Sequence, residues 1–594
     1  MRKMLFAAML SLLVLTLAMP FAAAETQKAT GTANGFGGEL TVEVTVDGKQ
    51  IVSVEVLENK ETPGVADPAI NNLPGEIVAA QSVAVDVKAG CTLASNAVLE
   101  ATKTALLSLG FTEEEITAKV EAQAPAAEEI VKTADVIVIG TGGAGMTAAY
   151  VAAKNGASVI AIDKMSYTGG NTLAAGSSMN AADPARQGQL TMEASELSVI
   201  KDMLALEPRC ELMAQWQADV RKDIEAYPIF REMGIYEEME RNIEVNVQYI
   251  RQFGPGEEEV EFKAENGEWC IPRRIGDDII RRAALRAGAE WLEGFDATEL
   301  IMSKGQVKGV KGIYNNQDMT IEADLTVIAN GSHSVLARQL GIFNNDPGLY
   351  MFAIRGYWEN VKNLKPGTTC WVYDPEWMPV VDQALADEHF FQPIWVTSID
   401  DTGTRASVGC CVSEGLLRAH GMSLDEYFNT WLERSKPGQL FLKGARCVDG
   451  MKGWRLPCCN EIGKNYAAGA MVIGDAASAP DPCYYYGVSP AMYGGKFCAE
   501  IAAEAFAEND FSEAKLSEFQ KRLGEMYNPI WAQYAAIRKM IVGNREVARD
   551  LILTSRAKPE YPDIYYGACF SEYMAKVFHS DAKMSFGSQL ADRD

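Results

Sequence analysis

Ala134-Asp135-Val136-Ile137-Val138-Ile139-Gly140-Thr141-Gly142-Gly143-Ala144-Gly145 is the stretch on which the fold turns. Its first half is a short apolar, β-branched run of the kind that forms a parallel strand buried on both faces. The run breaks directly into glycines, then into a helical stretch Met146–Lys154 that Gly156 ends. Ser158-Val159-Ile160-Ala161-Ile162 follows as a second apolar strand and closes on Asp163. A bare G-x-G-x-x-G says little. Set between strand and helix, with an acid 18 residues after its last glycine, it is the dinucleotide-binding arrangement. Gly140, Gly142, Gly143, Ala144 and Gly145 then bring backbone against a pyrophosphate at the positive helix end, and Asp163 accepts from ribose hydroxyls.

Outward from this core, Lys164–Thr172 reads KMSYTGGNT, and Ala174–Ala182 reads AAGSSMNAA. Both resemble FAD-dependent fumarate-reductase-like proteins, which makes FAD a better fit than NAD. The resemblance implies flavin contacts from Lys164, Gly170, Asn171 and Thr172. A second element stands near the carboxyl end: strand Ala470–Ile473, then Gly474-Asp475-Ala476-Ala477, then a helix opening at Gly487. In FAD enzymes of this group such an Asp binds the ribityl chain, which implies flavin contacts from Gly474, Asp475 and Gly487. The helix amino end there favours an anionic reduced flavin. Arg274-Ile275-Gly276-Asp277-Asp278, Asp324–Ser334 and Arg355–Val361 resemble a further branch, the geranylgeranyl-reductase-type flavoproteins. Gly331 falls in that pattern, with Asn330 where an Asp is usual. These likenesses are scattered motifs across residues 134–506. Residues 185–270 and 365–450 match none of them; by elimination the substrate-facing structure is placed at about 185–270 and 345–450.

Before the dinucleotide fold, Leu40, Val42, Val44 and Val46 alternate with polar residues, and Asp47-Gly48 turns into Ile51–Val56. A helix is predicted at Ser95–Leu107, with Ala97, Val98, Ala101, Ala105 and Leu106 on one stripe. Together with Glu61-Thr62-Pro63-Gly64 and Asp86-Val87-Lys88-Ala89-Gly90-Cys91-Thr92-Leu93-Ala94-Ser95, this order resembles the FMN-binding domain of flavin reductases and sodium-pumping quinone reductases. That family carries FMN through a phosphoester on the last Thr of D-x-x-S/T-G-A-T, which implies covalent FMN on Thr92. Asp86 and Gly90 match the motif, whereas Ala89 and Cys91 depart from it. A Thr in a glycine-containing turn before a helix also places a phosphate at that helix's amino end on physical grounds alone.

Met1-Arg2-Lys3, an apolar run to Met19, Pro20 and Ala22-Ala23-Ala24 have the order of a signal peptide, with an uncleaved anchor as the other reading. The expected organisation is therefore a signal peptide (1–24), an FMN-binding domain (25–110), a linker (111–132), an FAD-dependent oxidoreductase domain (133–508) and a helical cap (509–594). The expected class is α/β: a Rossmann-type FAD domain with an inserted α+β substrate domain, behind a small α+β FMN domain. Acidic residues number 80 and basic ones 54, a net charge of −26 that repels nucleic acid. No C-x-x-C occurs and His number four, so no metal or haem is expected. Cys410-Cys411 and Cys458-Cys459 read as buried thiols rather than strained adjacent disulfides.

The expected chemistry is reduction of an activated C=C bond in a small, carboxylate-bearing acceptor. Such a reduction needs hydride from flavin, a proton donor and a group that holds the electron-withdrawing substituent. Cys483-Tyr484-Tyr485-Tyr486-Gly487 lies between the FAD Asp and the last flavin helix, so Tyr485 and Tyr486 are candidates for proton donation or for packing over the ring. Arg455 is a candidate carboxylate clamp, with a salt bridge as the plain alternative, and Arg355 leads the strand that crosses the pocket in the aromatic hydroxylases, relatives of the geranylgeranyl-reductase-type flavoproteins that this region resembles. Arg273 and Arg274 read as structural. Domain order behind a signal sequence is that of urocanate reductase, implying an exported protein fed by a membrane or extracellular electron donor. No second G-x-G-x-x-G supports a nicotinamide site. A dehydrogenase running in the opposite direction, and a flavin electron carrier with no substrate, are the alternatives.

Overall fold

A computed structural model describes residues 26–35, 37–61, 66–88, 91–117, 130–175, 178–179, 227–253, 259–315, 317–343, 349–372, 394–448, 450–482, 485 and 487–541. The expected leader, Gly90, Tyr486, the middle of the linker, residues 180–226 and 373–393, and the chain beyond 541 lie outside the described residues. Two compact units emerge among the described residues, one of those up to Thr117 together with Met165–Tyr167 and one of the rest from Ile130 on.

The first unit is an antiparallel meander of Thr26–Asn34, Glu39–Asp47 and Gln50–Glu58 backed by helices Asp67–Ala80 and Thr92–Ser108. Alternation puts Leu40, Val42, Val44 and Val46 inside, and Gly48 takes the positive φ that the hairpin requires. At Gly31 the first strand lies directly on the second helix: a Cβ there would stand 2.0 Å from the Ala101 carbonyl oxygen. That helix begins at Thr92, three residues before the predicted Ser95. Its buried stripe starts only with Ala94 and Ser95, whereas Thr92 and Leu93 are exposed, so apolar periodicity cannot register the first turn.

In the second unit the strands Ala470–Val472, Gln317–Ile328, Ile130–Ile139, Val159–Asp163 and Glu290–Glu293 lie side by side in that order, all parallel. Val136–Ile139 are buried, as strands covered on both faces must be. Helix Gly143–Lys154 follows strand Ile130–Ile139, and helix Val488–Glu508 packs across that helix where Gly495 meets Ala144. Helix Glu513–Ile541 closes the core with Leu516, Phe519, Leu523, Tyr527 and Trp531.

A second, mixed sheet is inserted into this fold. Tyr350–Glu359 runs between Arg405–Ser413 and Lys452–Pro457, and Ile394–Ser398, Thr368–Val372, Val245–Phe253 and Glu259–Cys270 extend it. One face holds an aromatic core with Tyr427, Phe428, Trp431 and Phe441. The other carries Met351, Cys411, Cys458 and Tyr485. Side-chain alternation therefore gives every residue of Tyr350–Glu359 to one of two different environments.

Candidate functional site

The glycine loop has the shape its spacing predicts. Gly140 takes φ 99°, and a Cβ on it would meet the Ala329 carbonyl oxygen at 2.4 Å. At Gly145 a Cβ would stand 1.9 Å from the Gly140 carbonyl oxygen, so the strand–helix turn closes only around glycine. Gly142 caps the 12-residue helix without any side-chain hydrogen bond, leaving first-turn N–H groups for an anion. Asn330 Oδ1, beside Gly140 and next to Gly331, is buried with no hydrogen-bond partner. The open helix end and this buried acceptor fit a bound dinucleotide. Asp163 Oδ2 accepts from the Thr141 N–H (2.7 Å) and its hydroxyl (2.8 Å), so the second-strand acid also braces the loop. Lys164 beside it is exposed.

Three long-range contacts fix the KMSYTGGNT loop over this turn. The Gly169 N–H donates to the Thr141 carbonyl oxygen at 3.0 Å, and Gly170 turns at φ 51°. Asn171 Nδ2 donates to Asp475 Oδ2 at 2.9 Å, joining residues on either side of the inserted sheet. Gly474, at φ 62°, brings Asp475 there: a Cβ on Gly474 would press on Ala144 Cβ at 3.0 Å. Burial pushes the Asp475 carboxyl up, and the Asn171 amide counters it. Arg273 Nε donates to the Thr172 carbonyl oxygen at 2.9 Å while its Nη2 pairs with Asp277 Oδ1 inside the helix Arg273–Arg286. Burial pushes Asp277 up to about 6, with Arg273 opposing the rise. Gly487 caps the 21-residue helix Val488–Glu508 without a side chain, so a second open helix end faces out beside Asp475.

Register separates the two arginine candidates. Met351 pairs with Leu456, Phe352 with Arg455, Ala353 with Trp454 and Arg355 with Gly409, so side chains fall alternately on the two faces. Arg355 shares the face of Met351, Ala353, Cys411 and Tyr485; Arg455 shares that of Tyr350 and Phe352, on the opposite side. Arg355 is 3% exposed, donates from Nη2 to the Leu173 carbonyl oxygen at 2.7 Å and lies 4.1 Å from the Tyr357 ring centroid. It thus ties the sheet to the Asn171 loop. Tyr485 holds a bulky residue at φ 60°, a left-handed conformation that is costly away from glycine. Such strain persists at sites the surroundings over-determine, and Tyr485 packs on Met351, Cys411 and Cys458. Tyr486 lies outside the described residues.

Trp395 was not singled out from the sequence. It lies across Gly409, where a Cβ would stand 2.3 Å from its ring, and so covers the same face beside Arg355. The signal was there: a glycine inside an otherwise apolar strand marks a close approach. Cys410, Cys411, Cys458 and Cys459 are buried, with burial pushing Cys411 and Cys459 up to about 12. They are packing thiols. In the first unit Thr92 is exposed at the first position of its 17-residue helix. The preceding turn is held by Lys88 N–H donating to Ser95 Oγ at 3.0 Å, and Cys91 caps without its side chain. A phosphoester on Thr92 would sit at that uncapped helix end. Among the described residues no group of three or more His, Cys, Asp or Glu is arranged to hold a metal.

Comparison with known proteins agrees with this layout. The FMN-binding domain family model matches residues 35–107, and the FAD binding domain model residues 135–346. An NADH:acrylate oxidoreductase of Vibrio harveyi is 33% identical over 193 residues, 32% of this chain and 19% of that protein. A urocanate reductase of Eggerthella lenta is 37% identical over 178 residues, 30% of this chain and 29% of that protein. The matched part thus spans less than a third of either relative. A digeranylgeranylglycerophospholipid reductase of Methanoculleus marisnigri is 25% identical over 387 residues, covering 65% of this chain and 80% of that protein. Among solved structures, a geranylgeranyl bacteriochlorophyll reductase-like protein of Thermoplasma acidophilum superposes with a TM-score of 0.56 at 19% identity, over 75% of this chain and 96% of its own. At that identity the likeness is one of fold. The chain carries an FMN-binding domain followed by an FAD-binding domain of Rossmann type.

Proposed function

We propose that this chain is an exported two-flavin reductase of small unsaturated acids. Thr92 would carry FMN as a phosphoester and the second unit would hold FAD; together the two flavins would supply electrons from a membrane or extracellular donor for reduction of an activated C=C bond. The observation that carries the reading is the single face shared by Arg355, Trp395 and Tyr485, tied through Leu173 to the loop whose Asn171 holds Asp475. An electron carrier with no substrate has no use for a buried cation and a tyrosine hydroxyl on the sheet face joined to its flavin loops. The domain order and the names of the acrylate and urocanate relatives support the substrate class. The basic, apolar, alanine-terminated opening of the sequence supports export.

The glycine loop, Asn330 and Gly331 would hold the dinucleotide, and Asn171 with Asp475 the ribityl side. When reduced, FAD supplies hydride to one carbon of the acceptor. Arg355 holds positive charge on the sheet face, where it orients the acceptor's carboxylate and stabilises charge building on it. The Tyr485 hydroxyl delivers the proton to the neighbouring carbon, and the apolar walls of Met351 and Trp395 exclude water.

Oxidation of a reduced dye by the flavin-loaded protein tests this against acrylate, cinnamate and urocanate. At least one is expected to turn over. Tyr485→Phe is expected to lower that rate by about a hundredfold or more with flavin content unchanged. Indifference to every unsaturated acid would leave the carrier reading standing and sink this one.

A further inference from the structure

On the other side of the inserted sheet, away from Tyr485, a cavity of about 340 Å³ opens among Arg338, Phe343, Tyr350, Glu414, Arg418 and Arg455. That volume suits a small organic ligand. Its charge is unlike the rest of the molecule: three guanidinium groups face one carboxylate, in a chain whose net charge is −26. Glu414 is 7% exposed and already shared, accepting from Arg455 Nη2 at 2.7 Å and pairing with Arg418. Arg338 makes no ion pair among the described residues and lies 5.6 Å from the Phe343 ring centroid. Arg455 Nε is buried with no hydrogen-bond partner, although the same guanidinium lies 3.7 Å from the Tyr350 ring centroid. A buried donor without an acceptor is costly and calls for a ligand atom. The excess charge is felt nearby: after burial itself, Arg455, Arg338 and Lys164 all hold the His333 imidazole below its ordinary range. Phe343, which is 43% exposed, adds apolar surface to the cavity.

We propose that this cavity is a second binding site, separate from the flavin face, for a small planar organic carboxylate. The carboxylate bridges Arg338 and Arg455, satisfying the Arg455 Nε donor, and the flat body lies against Phe343 and Tyr350. Glu414 keeps Arg455 pointed at the ligand by holding its other nitrogen. Sheet alternation sets this site apart from the redox chemistry, because Arg455 and Tyr485 belong to opposite faces. The assignment holds whether or not the acceptor of the reductase is a carboxylate.

Calorimetric titration of the flavin-loaded protein with benzoate tests the site, with benzamide as its neutral isostere and inorganic phosphate as an anion without a ring. Benzoate is expected to bind more tightly than either, and more weakly as salt rises. Arg338→Gln and Arg455→Gln are each expected to weaken it by about tenfold or more, and Arg338→Lys by less. Retained flavin absorbance shows that each variant folds. Arg418→Gln changes a side chain that is 78% exposed and serves as the variant of assured folding, with a severalfold loss expected. No benzoate binding up to about 10 mM would overturn the proposal. So would equal binding of benzamide or phosphate, or unchanged benzoate affinity in the folded variants.

Discussion

The Asn171 amide nitrogen donates to the Asp475 carboxylate across 2.9 Å, joining two loops 304 residues apart in the chain. Both residues are proposed to contact the flavin, and each orients the other. Preorganisation of this kind lowers the ordering that binding must accomplish. Changing Asn171→Asp sets two carboxylates face to face, so one must take up a proton or the loops must part. FAD affinity, read from flavin retention or reconstitution of the apoprotein, is expected to fall by about tenfold or more near neutral pH and to recover as pH is lowered. Full flavin retention at neutral pH would show that the pair does not position the cofactor.

Thr92 offers a direct test of the tether. Denatured wild-type protein is expected to keep flavin fluorescence on the polypeptide, Thr92→Ser to keep it, and Thr92→Ala to lose it while retaining the FAD of the second unit. Fluorescence that persists on the Thr92→Ala chain after denaturation would place the covalent flavin elsewhere.

Gly495 permits helix Val488–Glu508 to lie on the dinucleotide helix, and a Cβ there would stand 2.4 Å from the Ala144 carbonyl oxygen. Neither helix can yield without moving the glycine loop or Asp475. Gly495→Ala is expected to cost about 1–3 kcal/mol in denaturant unfolding and to loosen FAD as well. Equal stability and flavin content would mean that the helices separate freely.

Asp277 is expected to make stability depend on pH. Burial raises its folded-state value from 3.8 to about 6, so the folded protein binds more protons than the unfolded one between those limits. Its contribution is fully present below pH 3.8 and is lost as pH rises through about 6. The stability advantage of wild type over Asp277→Asn is therefore expected to shrink across that window by up to about 3 kcal/mol. Chemical denaturation of both proteins at several pH values measures it, and an advantage that grows with pH contradicts the assignment.

Much of the fold was legible because its signals are local. A β-branched run, a glycine turn and an acid one strand later specify a strand–turn–helix whose glycines are needed where a Cβ would clash, as at Gly140 and Gly145. The alternation of Leu40, Val42, Val44 and Val46 likewise predicts a half-buried strand. The first turn of the Thr92 helix was not visible, since its exposed residues carry no apolar period.

The order of strand, turn and motif was thus determined along the chain itself, including which residues could approach a dinucleotide. Tertiary structure alone decided which side chains share a site. Arg355 and Arg455 look equivalent as isolated arginines, yet the register between Tyr350–Glu359 and Lys452–Pro457 puts them on opposite faces. Asn171 meets Asp475, and Trp395 covers Gly409 beside Arg355, through pairings that no local pattern encodes. The physical reason is that periodicity records how one segment meets solvent, whereas a site depends on which distant segments pack together.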